Sequence, residues 1–66
     1  MNVTLYSTHC PRCKVLGLKL KQKNISYEEV TDLKTMAAKG FKSVPKLEVD
    51  GTVYDFKEAV QWIGEQ

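Results

Sequence analysis

The chain has 66 residues, 42% of them hydrophobic and 27% charged, with ten basic and eight acidic side chains for a net charge of +2. Such a length points to one domain, residues 1–66, that buries roughly 60% of its unfolded surface, and the composition excludes a disordered chain. The slight positive balance is too small to argue for a nucleic-acid partner, and no apolar run approaches the roughly 18 residues of a membrane span.

The opening stretch MNVTLYS lacks a basic segment followed by a long apolar one, so a cytoplasmic location is expected. Within it, Asn2–Tyr6 alternates and is rich in β-formers, which predicts a strand. Pro11 stands where helices accept a first-turn proline, and a helix is predicted from Pro11 to Lys23. Val15, Leu16, Leu20 and Cys13 form its predicted apolar side. Lys14, Lys19, Lys21 and Lys23 read as a solvated face, with a docking patch for an acidic partner as the alternative. Gly17 falls inside this helix, where it costs about 1 kcal/mol against alanine; a close contact between helix and sheet would explain it.

Ile25–Val30 predicts a second strand, and TDLKTMAAKG a short helix capped by Thr31 or Asp32, with Leu33, Met36 and Ala37 as its stripe and Gly40 as its stop. FKSVP reads as a loop. KLEV and TVYDF read as strands joined by Asp50-Gly51, a strong two-residue hairpin signal. The last helix starts at the Asp55 cap, has Glu58 at the capping-box position, and buries Phe56, Ala59, Val60 and Ile63. Trp62 is expected to be partly buried packing. Tyr6 is expected to lie below the site against Pro45, and Lys46 and Lys57 to face solvent.

The order is β-α-β-α-β-β-α, an α/β fold with a four-stranded mixed sheet and helices on both faces. The first turn after strand one then lies at a strand's carboxyl end, the usual place for a site in an open sheet. That turn holds Cys10 and Cys13, the chain's two cysteines. In a reducing compartment such a pair is catalytic or metal-binding rather than structural. Cys10 falls at the helix N-cap, where free N–H groups and the helix dipole favour a thiolate. Arg12 and Lys14 add positive charge. Cys13, one turn on, shares the side of Leu16 and Leu20 and should be the more buried. The expected chemistry is attack by Cys10 on a substrate disulfide, then attack by Cys13 on the mixed disulfide. His9 reads as an exposed spacer; as imidazolium it would stabilise the thiolate.

At this point the chain resembles the glutaredoxins and the glutaredoxin-like proteins that serve ribonucleotide reductase. The matching residues are VTLYS, Cys10-Pro11-Arg12-Cys13, and SVPKLEVDG from Ser43 to Gly51. The resemblance implies a thioredoxin fold and thiol-disulfide oxidoreductase activity with no bound cofactor; a monomer is expected because the apolar stripes are all used internally. It implies a cis Val44–Pro45 peptide beside the cysteines, with the Val44 backbone pairing with substrate. It implies a disulfide-bearing protein as substrate, ribonucleotide reductase among the candidates. Glutathione, as co-substrate, or a thioredoxin-reductase-type enzyme would supply electrons.

The chain departs from the glutathione-using pattern in three places. His9 is the one basic candidate in the segment STH, where the family has Lys or Arg. Arg12 replaces a tyrosine. Asp55 and Phe56 stand near the usual Gly-Gly. Arg12, Val44, Pro45 and Asp55 are therefore the expected substrate-binding residues, with Arg12 able to pair with a carboxylate.

The competing reading is a Cu(I) or Zn(II) chaperone using the same two thiolates, with His9 as a third donor. Small domains of that kind follow β-α-β-β-α-β and end in a strand, whereas this chain ends in an amphipathic helix. They also lack the Val-Pro, and a proline against the pair would obstruct a metal. No metal site is therefore expected.

Overall fold

Strand alternation decides which side chains meet which helix. In the computed structural model, which describes residues 2–66, the elements are β1 (Val3–Tyr6), α1 (Pro11–Gln22), β2 (Glu28–Val30), α2 (Leu33–Ala38), β3 (Lys46–Val49), β4 (Thr52–Tyr54) and α3 (Phe56–Gly64). The sheet order is β2-β1-β3-β4. β1 runs parallel to β2 and antiparallel to β3, and β3 is antiparallel to β4. The sheet is thus mixed, with the expected element order.

Val3 and Leu5 point to one face, where Leu47 and Val49 join them. Leu16 and Leu20 of α1 and Ala59 and Ile63 of α3 close over these four side chains. Tyr6 points to the opposite face and meets Phe41 edge-on, with ring centroids 5.0 Å apart at 71°. Met36 of α2 is buried as well, so helices cover both faces, one of them only at the end nearest the cysteines.

Local signals place the joints. Asp50 and Gly51 both have positive φ, 49° and 88°, as a two-residue hairpin with the strand twist requires. Asp32 caps α2 through the Lys34 N–H at 3.0 Å, and Asp55 caps α3 through the Glu58 N–H at 2.9 Å. Gly17 has the close contact its position suggested: an added Cβ would lie 3.3 Å from the Tyr27 hydroxyl and 3.9 Å from Leu5.

Several expectations need correction. Val15 is 38% exposed, because one residue along a helix rotates it by about 100° from Leu16. The α1 stripe is Cys13, Leu16 and Leu20. In α2 only Met36 is buried, since six residues make too short a helix to turn a broad face inward, and Leu33 is 66% exposed. Phe56 and Val60 are half-buried, leaving Ala59 and Ile63 as the buried part of α3. β2 is shorter than expected: Ile25 and Tyr27 pack against the core without pairing in the sheet. β4 stops at Tyr54 because Asp55 leaves the sheet to cap α3. Lys46 is half-buried rather than free in solvent. Trp62 is half-buried and stacks on Tyr54, as a packing residue does.

Leu16 has no solvent exposure and belongs to the buried apolar cluster. Leu16→Ala is expected to cost about 2–5 kcal/mol, a large part of the total for a chain this short; the shift in urea midpoint measures it. Gly17→Ala gains helix propensity but presses on the Tyr27 hydroxyl, so it should be near neutral alone and stabilise by about 1 kcal/mol in a Tyr27→Phe background. Additive effects in that double-mutant cycle would show that the contact is unimportant.

Candidate active site

The turn between β1 and α1 brings the two cysteines together. His9 adopts a left-handed conformation, φ 61°, which histidine tolerates better than most residues. The chain reverses there, and Cys10 enters α1 as its N-cap with extended backbone. Its carbonyl accepts the Lys14 N–H at 3.0 Å, and its sulfur accepts the Cys13 N–H at 3.3 Å. Cys10 is half-buried and Cys13 is 2% exposed, so one thiol faces the surface and the other lies beneath it.

The two thiols are driven in opposite directions. Cys10 is held below the ordinary thiol pKa, first by a hydrogen bond with the Cys13 thiol; burial opposes the shift, and the backbone N–H groups of Cys13 and Arg12 reinforce it. Cys13 is pushed up, first by burial and then by its hydrogen bond with Cys10. The positive charges of Arg12 and Lys14, expected to help, are not among these causes. Arg12 instead lies over the Phe56 ring, 5.4 Å from its centroid.

A groove of about 260 Å³ includes Arg12, the residue between Pro11 and Cys13, and Val44, Pro45 and Asp55 line it as well, together with Phe56 and Lys57. Three separate chain segments thus bring the four candidate binding residues together. The Val44–Pro45 peptide is cis. Among the described residues, neither the N–H nor the C=O of Val44 bonds to another main-chain group, so both are free to pair with a bound chain. The Asp55 carboxylate accepts the Glu58 N–H, so part of its bonding capacity serves α3. Phe56 puts an aromatic ring on the groove wall.

Tyr6 ends β1, as expected, and has further partners. It packs on Phe41, Lys39 lies 5.5 Å from its ring centroid, and its hydroxyl donates to Glu48 at 3.4 Å. Residues on the other flank escape a reading of the sequence. The Ser7 hydroxyl, fully buried, donates to Glu29 at 2.7 Å, and His9 Nδ1 lies 3.8 Å from the same carboxylate oxygen while the His9 side chain stays 65% exposed. Only the pairing of β1 with β2 places Glu29 there; no local motif announces it. Among the described residues, no group of three or more His, Cys, Asp or Glu side chains is placed to hold a metal ion.

A scan against protein-family models finds no match, and a search of curated proteins finds none. Among solved structures the chain is similar to Leishmania TDR1, a trimeric glutathione transferase, with a TM-score of 0.76 and 21% identity over the whole of this chain. The chain spans 17% of that protein's length.

Alkylation of the reduced protein tests the thiol pair. Because only the thiolate reacts, the Cys10 rate against pH is expected to show a midpoint below that of a free cysteine. Cys13→Ala should move the midpoint up, since the largest stabilising partner is lost, and Cys13→Ser should retain most of the shift. An unchanged midpoint in Cys13→Ala would mean that the helix backbone alone stabilises the thiolate.

Together, the element order, the mixed sheet and the likeness to this neighbour show that the chain has the thioredoxin fold.

Proposed function

We propose that the protein is a small dithiol–disulfide oxidoreductase that reduces protein disulfides, or mixed disulfides with glutathione, through Cys10 and Cys13. The observation that carries this reading is the pair itself: an accessible thiol with a lowered pKa, whose sulfur accepts the Cys13 main-chain N–H at 3.3 Å, above a buried thiol with a raised one.

The Cys10 thiolate attacks one sulfur of the substrate disulfide. A bond forms between Cys10 and that sulfur, and the other substrate sulfur leaves as a thiolate. The groove supports this step, because a peptide laid along Val44 finds a free N–H and C=O. Cys13 then loses its proton to solvent and attacks the Cys10 sulfur, displacing the second substrate thiolate. Two electrons have passed to the substrate, whose thiolates take up protons from solvent, and the protein is left as the Cys10–Cys13 disulfide. Cys13 stays protonated until the mixed disulfide forms, which keeps Cys10 free for substrate. Once Cys10 is bonded to substrate, its negative charge no longer opposes ionisation of Cys13.

The oxidised pair needs a two-electron reductant, either two molecules of glutathione or the dithiol of a flavoprotein reductase. The aromatic wall at Phe56 favours the reductase. The resemblance nominates ribonucleotide reductase among the substrates, and the reading fits a monomer in a reducing cytoplasm with no bound cofactor.

Incubation with a disulfide-bonded protein substrate tests the assignment. Cys10→Ser should abolish reduction. Cys13→Ser should perform the first step alone and accumulate a mixed disulfide, visible as an adduct in the intact mass and removed by dithiothreitol. Reduction at the parent rate by Cys10→Ser would overturn the proposal.

A further inference from the structure

We infer that the substrate is a peptide disulfide whose reactive cysteine has an acidic residue on one side and a large aliphatic residue on the other. This rests on the oxidoreductase reading and names the substrate class of the same site.

The inference starts from Ser43 and Val44, which line two cavities at once. The groove beside Arg12 is one. The other, about 220 Å³, lies on the α2 side and is walled by Thr8, Leu33, Met36, Ala37 and Phe41, with Lys42 also lining it. Both are smaller than the roughly 300–1,000 Å³ of pockets that enclose a whole small ligand, so each suits a side chain. A chain paired with Val44 would project successive side chains to alternate hands, so a residue two positions before the reactive cysteine and one directly after it would enter different cavities.

The two cavities differ in chemistry. The first has Arg12, Lys46 and Lys57 against the single carboxylate of Asp55, which already accepts the Glu58 N–H. Among the described residues, none of those three cations forms an ion pair within the protein. Arg12 rests on an aromatic face, which leaves its N–H edge available to a carboxylate. The second cavity is mostly apolar, and Leu33, one of the residues lining it, is 66% exposed. Glutathione would supply carboxylates to the first cavity and nothing to the second. A peptide with both side chains uses both.

The test uses blocked hexapeptides dimerised through one cysteine, carrying Leu and Glu two positions before it and one position after it, in both orders, with Leu→Ser and Glu→Lys controls. Bis(2-hydroxyethyl) disulfide and glutathione disulfide serve as side-chain-free and glutathione probes. Single-turnover rate constants are read with pre-reduced protein. In one of the two orders, each control peptide should react about 10-fold more slowly, the discrimination one pocket contact typically provides. The exposed Leu33→Ser should erase the Leu preference, and Lys57→Glu should weaken or reverse the Glu preference. Equal rates for all peptides, with bis(2-hydroxyethyl) disulfide reduced, would overturn the inference and leave the oxidoreductase intact. Glutathione disulfide reacting faster than every peptide would also overturn it. Failure to reduce any disulfide would overturn both.

Discussion

The packing of α1 against β1 is the constraint from which the site follows. Leu16 and Leu20 must lie against Val3, Leu5 and Leu47 because no other apolar surface in so short a chain can cover them. With those two leucines turned inward, Cys13, three residues before Leu16, has to lie on the same side and be buried. Cys10, at the end of the same helix, has to lie at its cap, where free N–H groups point. The inequality of the two thiols is therefore a by-product of helix burial. Gly17 belongs to the same constraint, since it lets the helix approach Tyr27 closely.

The electrostatics of the site come from hydrogen bonds rather than from nearby charge. Arg12 is close in sequence but is held over Phe56, and the Cys10 sulfur is stabilised by the Cys13 thiol and by main-chain donors. This division has a physical advantage. Donors fixed by a helix are insensitive to salt, whereas an exposed cation is screened within about 10 Å at ordinary ionic strength. It also leaves Arg12 available for a carboxylate brought in by a partner.

The far face of the sheet follows a separate logic. Tyr6, Lys39, Glu48 and Phe41 form a small cluster in which Lys39 is raised above the ordinary lysine pKa, first by Tyr6 and then by Glu48. This cluster closes the sheet face where α2 is too short to cover it. The loop from Phe41 to Pro45 is anchored at its start by Phe41 on Tyr6, and by the Phe41 N–H bonded to the Met36 carbonyl at 3.0 Å. That anchoring helps set where Val44 sits relative to the cysteines.

Local signals were enough for the element order, the Asp50-Gly51 turn, the Asp32 and Asp55 caps, and the burial of Cys13 with Leu16 and Leu20, because each depends on a few neighbouring residues and a fixed helical or strand period. The same signals misplaced Val15, which helical rotation turns away from Leu16, and Leu33. Whether an apolar side chain is covered depends on how far the opposite element extends, and α2 extends for only six residues. The groove joining Arg12, Val44, Pro45 and Asp55, the second cavity sharing Val44, and the Ser7–Glu29–His9 contacts were decided by tertiary structure. Their members come from segments tens of residues apart, and only strand pairing and helix packing bring those segments within reach of one another.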